Sequence, residues 1–189
     1  NAFRYTDFCY RAFMEAARKE AYYSNTIFVF IGDHGIGGDA GTMFPNAWTR
    51  ELTSMHVPLL FYAPGLFPHA TYSFPVTQCD VLPTVAGLSR ISYTNTTLGR
   101  DILSPAVQQN ASMQAAFIYN PDKRRIGVVQ DSAFYSYGIG DKMNELLLST
   151  TGNQVYQAGK NKKDDYYKLT EAFYQTARYM LLNNKARSE

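Results

Sequence analysis

The feature that most constrains this chain is the run Thr26-Ile27-Phe28-Val29-Phe30-Ile31, followed without a spacer by Gly32-Asp33-His34-Gly35. An unbroken apolar, β-branched and aromatic run reads as a strand buried on both faces, because a strand with one wet face alternates instead. Such a strand needs packing layers on both sides of its sheet, which points to the α/β class. Ahead of it, Phe3 to Lys19 has helical periodicity, with Phe8, Ala12, Ala16 and Cys9, Phe13, Ala17 in i, i+4 rows. A helix leading into a doubly buried strand is half of a βαβ unit and predicts a mainly parallel sheet with flanking helices.

Beyond the turn, Gly35 to Thr53 is Gly-rich and irregular, and a long loop just past a buried strand commonly carries function. Val57 to Ala63 reads as the next strand, with Pro58 near its start and Pro64-Gly65 closing it. A short helix follows over Val81–Leu88, with Asp80 placed to cap it and Pro83 in its first turn. After Gly99-Arg100-Asp101 the texture changes to short strands at Ala115–Tyr119, Ile126–Gln130, Ala133–Gly138 and Glu145–Leu148, separated by turn residues. The last segment, Asp165–Asn184, is helical, with Tyr166, Leu169, Phe173, Ala177 and Met180 on one face. The expected organisation is an α/β core over 1–103 and a small antiparallel-sheet-and-helix subdomain over 104–189.

Composition narrows the function classes. With 46% hydrophobic and 18% charged residues in 189, the chain can bury a core and is not disordered. A net charge of +2 lacks the clustered basic face of a nucleic-acid binder. The densest basic run, Lys160-Asn161-Lys162-Lys163, is answered at once by Asp164-Asp165 and reads as a solvated loop. Cys9 and Cys79 make neither a disulfide framework nor a zinc site, and in apolar surroundings they read as small core residues. No run reaches the roughly 18 apolar residues of a membrane span. The chain opens inside a helical pattern without Met, so the expectation is a piece of a longer polypeptide, and the missing targeting signals say nothing about its parent.

Chemistry needs polar groups that converge, and in open α/β sheets they do so beyond the carboxyl ends of strands. Asp33 and His34 stand at such an end. A carboxylate and an imidazole are ordinary ligands for zinc or manganese, for one ion or divided between two about 4 Å apart. The competing account is a plain turn in which Asp33 caps backbone amides. His56, just before the second strand, reads equally as a substrate-facing imidazole or a structural histidine. Arg50 and Trp48 in the long loop are candidate substrate contacts, weighed against a surface Arg and a packing Trp. Asp39 reads as a capping carboxylate and His69 as exposed. Arg100 and Asp101 are expected to pin the two subdomains together.

Three ordered blocks carry a resemblance: Asn25 to Gly35, then His56 to Gly65, then Gln78-Cys79-Asp80-Val81-Leu82-Pro83-Thr84, with Leu98-Gly99-Arg100-Asp101 after them. Together they resemble the C-terminal part of the sulfatase family of the alkaline phosphatase superfamily. Their texture is most similar to lipoteichoic-acid-synthase-like phosphoglycerol transferases. The resemblance implies an alkaline-phosphatase-like sandwich and a divalent metal (Mn, Zn, Ca or Mg) in the full-length protein. It makes Asp33 and His34 metal ligands, while His56, Arg50 and Trp48 stay candidate substrate contacts on their positions alone. The implied reaction is attack on a phosphate or sulfate ester, of a lipid headgroup or a glycan, by a metal-activated Thr, Ser or modified Cys. That nucleophile and the first acidic ligand belong to an N-terminal half of the domain that this chain lacks. Neither cysteine stands in the Cys-x-Pro-x-Arg setting of sulfatases, and 36–55 holds no His or Lys where many relatives have one. The chain alone is therefore expected to bind metal weakly or not at all and to turn over nothing. The parent is expected outside the cytoplasm, behind a membrane anchor. A non-catalytic glycan- or protein-binding module of the same fold is the alternative.

Overall fold

A computed structural model describes residues 1–37, 51–150 and 160–184. The chain forms two compact units, Asn1–Ile36 with Thr53–Thr71 and Gly37–Leu52 with Tyr72–Glu189.

The first unit is built on helix α1 (Ala2–Ala17), strand β1 (Phe28–Ile31), the single turn α2 (Leu52–Met55) and strand β2 (Leu59–Tyr62). The predicted helix and both predicted strands are present. The strands pair antiparallel, Phe28 opposite Tyr62 and Ile31 opposite Leu59, so the mainly parallel sheet expected from the helix–strand order is not what these strands form. The reason is where the loop returns. It leaves β1 at Ile31 and re-enters at Leu59 beside it, so no crossover carries the chain to the other end of the sheet. Phe28, Phe30, Leu60 and Tyr62 share one face, and α1 packs on it through Tyr10 against Phe30 and Phe13 against Phe28, both edge-on. Arg18 Nε donates to the Tyr23 hydroxyl at 3.3 Å, which lies 3.0 Å from that of Tyr62 and ties the end of α1 to the sheet.

The second unit contains α3 (Val81–Leu88), α4 (Pro105–Gln108), β3 (Ala115–Asn120), β4 (Arg125–Gln130), β5 (Ala133–Gly138), β6 (Asp141–Ser149) and α5 (Lys160–Asn183). The four strands form an antiparallel meander in chain order, as their spacing and turn residues predict. Helix α5 lays Tyr166, Leu169 and Phe173 on a core of Ile126, Val128, Tyr135 and Tyr137. The tyrosine hydroxyls in this core find carboxylates: Tyr135 donates to Glu145 at 2.9 Å and Tyr137 donates to Glu171. Burial, and then those carboxylates, push both phenols above their ordinary range.

Asp80 corrects the capping expectation. Its side chain does not cap α3. It turns back to close a capping box with Thr77, whose backbone N–H and hydroxyl both donate to Oδ2, at 2.7 and 3.2 Å. Fully buried, it also receives the Arg100 backbone N–H at 2.7 Å and the Arg100 guanidinium at 2.9 and 3.1 Å. The same guanidinium donates to the Met113 carbonyl, so Arg100 links α3 to the segment that leads into the meander. The cysteines are a second correction: Cys9 and Cys79 are both exposed, Cys9 on α1 and Cys79 in the 3₁₀ turn Gln78–Asp80.

Candidate functional site

Strand β1 delivers the chain into Gly32-Asp33-His34-Gly35, and two backbone bonds seat that turn on the approach to β2. The Gly32 N–H donates to the Pro58 carbonyl at 3.4 Å and the Gly35 N–H to the Ser54 carbonyl at 2.7 Å. Position 35 has no room for a side chain. A Cβ there would collide with the Thr53 carbonyl oxygen and stand 2.8 Å from that of His56. Glycine is thus required by the approach of a second backbone. The same approach brings the backbone of His56, an exposed residue, alongside Gly35.

Inside the turn the two candidate ligands are organised by short local bonds. Asp33 Oδ1 accepts the His34 backbone N–H at 2.9 Å, and His34 Nδ1 donates to the Gly35 carbonyl, also at 2.9 Å. A neutral imidazole that donates from Nδ1 presents Nε2 as a lone pair, the arrangement metal-ligating histidines use. His34 Nε2 lies 3.7 Å from Asp33 Oδ2, with the His34 and Asp33 side chains 78% and 90% exposed. Two donors each about 2.1 Å from a tetrahedral ion stand about 3.4 Å apart, so one ion can bridge this pair with little movement. The capping bond takes Oδ1 of Asp33, and Oδ2 is the oxygen that lies toward His34 Nε2. The protonated form of His34 is favoured above the ordinary imidazole value, first by the bond to the Gly35 carbonyl and then by the Asp33 charge.

A nitrogen and an oxygen make the mixed donor set that zinc or manganese accepts, but they are two donors where four are usual. Among the described residues no three His, Cys, Asp or Glu side chains gather into a metal-sized cluster. Trp48, Arg50 and Asp39 lie outside the described residues, and His69 is exposed. Sequence reasoning passed over Thr53. Its hydroxyl is buried without a hydrogen-bond partner among the described residues, while its carbonyl abuts Gly35. No pattern in the chain marks it, because the contact joins segments 18 residues apart.

Residues 1–91 match the family model described as Sulfatase. That segment is similar to the sulfatase family. The fold of the chain is that of a Vibrio parahaemolyticus protein in the alkaline phosphatase superfamily, with a TM-score of 0.69 at 16% identity, covering 95% of this chain and 41% of that one. The protein Ps i-CgsB, also solved with k-i-k-neocarrahexaose, matches with a TM-score of 0.62 at 19% identity over 87% of this chain and 40% of its own. A Bacteroides thetaiotaomicron protein, from a core genetic locus for the metabolism of multiple glycosaminoglycans, matches with a TM-score of 0.52 at 19% identity over 90% and 40%. The chain thus spans about two-fifths of the length of these solved structures.

Proposed function

We propose that this chain supplies part of the metal site of an enzyme that hydrolyses or transfers a phosphate or sulfate ester, with Asp33 and His34 as two of the metal ligands. The observation that carries the reading is the 2.9 Å bond from His34 Nδ1 to the Gly35 carbonyl, which leaves Nε2 facing Asp33 Oδ2. It stands inside the segment that matches the Sulfatase model. When bound, a divalent ion (Mn, Zn, Ca or Mg) lowers the pKa of a hydroxyl nucleophile and neutralises charge on the transferred group. The chain's own residues do the rest. Asp33 and His34 hold the donor pair, Gly35 locks the imidazole, and His56 faces the ester from the neighbouring segment. The nucleophile comes from the remainder of the parent protein, which we place outside the cytoplasm behind a membrane anchor. Among the described residues themselves, no helix is long and apolar enough to cross a membrane.

For the substrate, two sources of support differ. The k-i-k-neocarrahexaose solved with Ps i-CgsB and the glycosaminoglycan locus of the Bacteroides protein favour an ester on a glycan. The block pattern from Asn25 to Thr84 favours a phosphoglycerol headgroup. Aryl sulfate, aryl phosphate and phosphatidylglycerol offered to the full-length protein with added divalent metal separate them. We expect turnover of one class, reduced about a hundredfold or more by Asp33→Ala and by His34→Ala. Both side chains are exposed, so the metal-free unfolding midpoint should stay put. Full turnover in both variants would remove the ligand assignment. Turnover of none of the three would remove the ester reading.

A further inference from the structure

Helix α5 outruns the sheet face it covers. Among the described residues its packed set on the meander core runs from Tyr166 to Tyr174, and the helix continues to Asn183. On that last stretch the side chains divide by angle. At about 100° per residue, Ala177 and Met180 prolong the inward row of Leu169 and Phe173, and both are half-buried. Tyr179, Leu181 and Leu182 fall on the opposite side, exposed by 68%, 83% and 72%. An apolar outer arc on a helix whose inner face is already packed needs a second apolar medium.

The charge says which medium. From Ala172 to Ser188 the sequence holds no Asp or Glu, and it carries Arg178, Lys185 and Arg187. Arg178 stands inside the apolar arc, between Leu181 and Leu182 in angle, with its guanidinium carbon 5.6 Å from the centre of the Tyr174 ring. Cations near a helix C-terminus suit the helix dipole, but the dipole gives no reason for exposed leucines beside them. A second copy of this chain is a poor occupant, because pairing the two arcs would set arginine against arginine. An anionic lipid surface answers both halves of the pattern. Acyl chains take Leu181 and Leu182, Tyr179 sits at headgroup level, and Arg178 reaches a phosphate with its stem laid along apolar surface. The earlier turns of α5 do not qualify, because Asp164, Asp165 and Glu171 stand on them.

We propose that the C-terminal turns of α5 form an interfacial contact with an anionic phospholipid surface, dipping into the headgroup layer without crossing the bilayer. The contact uses neither Asp33 nor His34, so it stands or falls apart from the metal and ester reading.

Flotation of the 189-residue chain with lipid vesicles tests it. Binding to phosphatidylcholine mixed with phosphatidylglycerol should be at least about tenfold tighter than to phosphatidylcholine alone, and high salt should remove the difference. The double variant Leu181→Asp/Leu182→Asp should weaken binding to the mixed vesicles about tenfold or more, and Arg178→Glu should reduce the preference for the anionic lipid. All three side chains are exposed, so unaltered amide exchange in β4 and β5 is expected and shows that the variants fold. No flotation, or equal flotation with both lipids, would overturn the proposal. So would full binding by the double variant, or a dimer of this chain that the double variant disrupts, which would make a second copy the occupant.

Discussion

His34 sits between two groups that favour its charged form, the Gly35 carbonyl first and the Asp33 carboxylate second. A histidine whose folded-state pKa is raised stabilises the fold below the ordinary value of 6.5, and that contribution is lost as pH rises through the folded-state value. Metal binding runs the other way, because a ligand must be neutral. It is suppressed at low pH and grows as the imidazole deprotonates. A proton NMR titration should therefore place His34 above 6.5. Asp33→Asn should lower the midpoint only part-way, since the larger cause remains. A midpoint at or below the ordinary value would mean that the Gly35 bond does not persist in solution. Such an imidazole would also lose the orientation on which the ligand assignment rests.

At the scale of the element, the 3₁₀ turn Gln78–Asp80 and α3 are held by one buried carboxylate with a forked partner. Asp80 is wholly buried, and the Arg100 side chain opposite it is 15% exposed. Removing the guanidinium leaves a carboxylate with its two Thr77 donors and one backbone amide but no counter-charge. Breaking a buried pair in this way costs about 3–5 kcal/mol. Arg100→Ala should therefore lower the urea midpoint by a corresponding amount. Arg100→Lys should restore only part, because an ammonium cannot reproduce two parallel bonds plus a third to the Met113 carbonyl. A loss under about 1 kcal/mol would mean that the pair is solvated as a surface bridge is. Asp80 was legible as a residue at a helix start. Its partner was not, because Arg100 lies 20 positions on and only the folded backbone brings them together.

For the whole molecule, the two units differ in how they are built. The second has a four-stranded meander under a long helix, with a continuous buried core. The first has two short strands under one helix whose apolar face is largely uncovered. Amide exchange in the isolated chain should accordingly be at least tenfold slower in β4 and β5 than in β1 and β2, with β1 and β2 opening ahead of global unfolding. Equal protection across both sheets would show that the first unit needs no further layer.

What the sequence by itself determined is local. The helix over Ala2–Ala17, the strands on either side of the long loop, the meander and the last helix follow from patterns of a few residues, as do the Asp33–His34 pair and its Gly flanks. A periodicity or a turn dipeptide acts over a few positions, so it survives whatever the rest of the chain does. The tertiary structure alone decided the antiparallel pairing of β1 with β2, the exposure of both cysteines, and the bond between Asp80 and Arg100. It also decided the seating of Gly35 against Thr53 and His56. Each of these depends on which distant backbone arrives alongside. That is settled by loop return and burial over the whole domain, which no local pattern encodes.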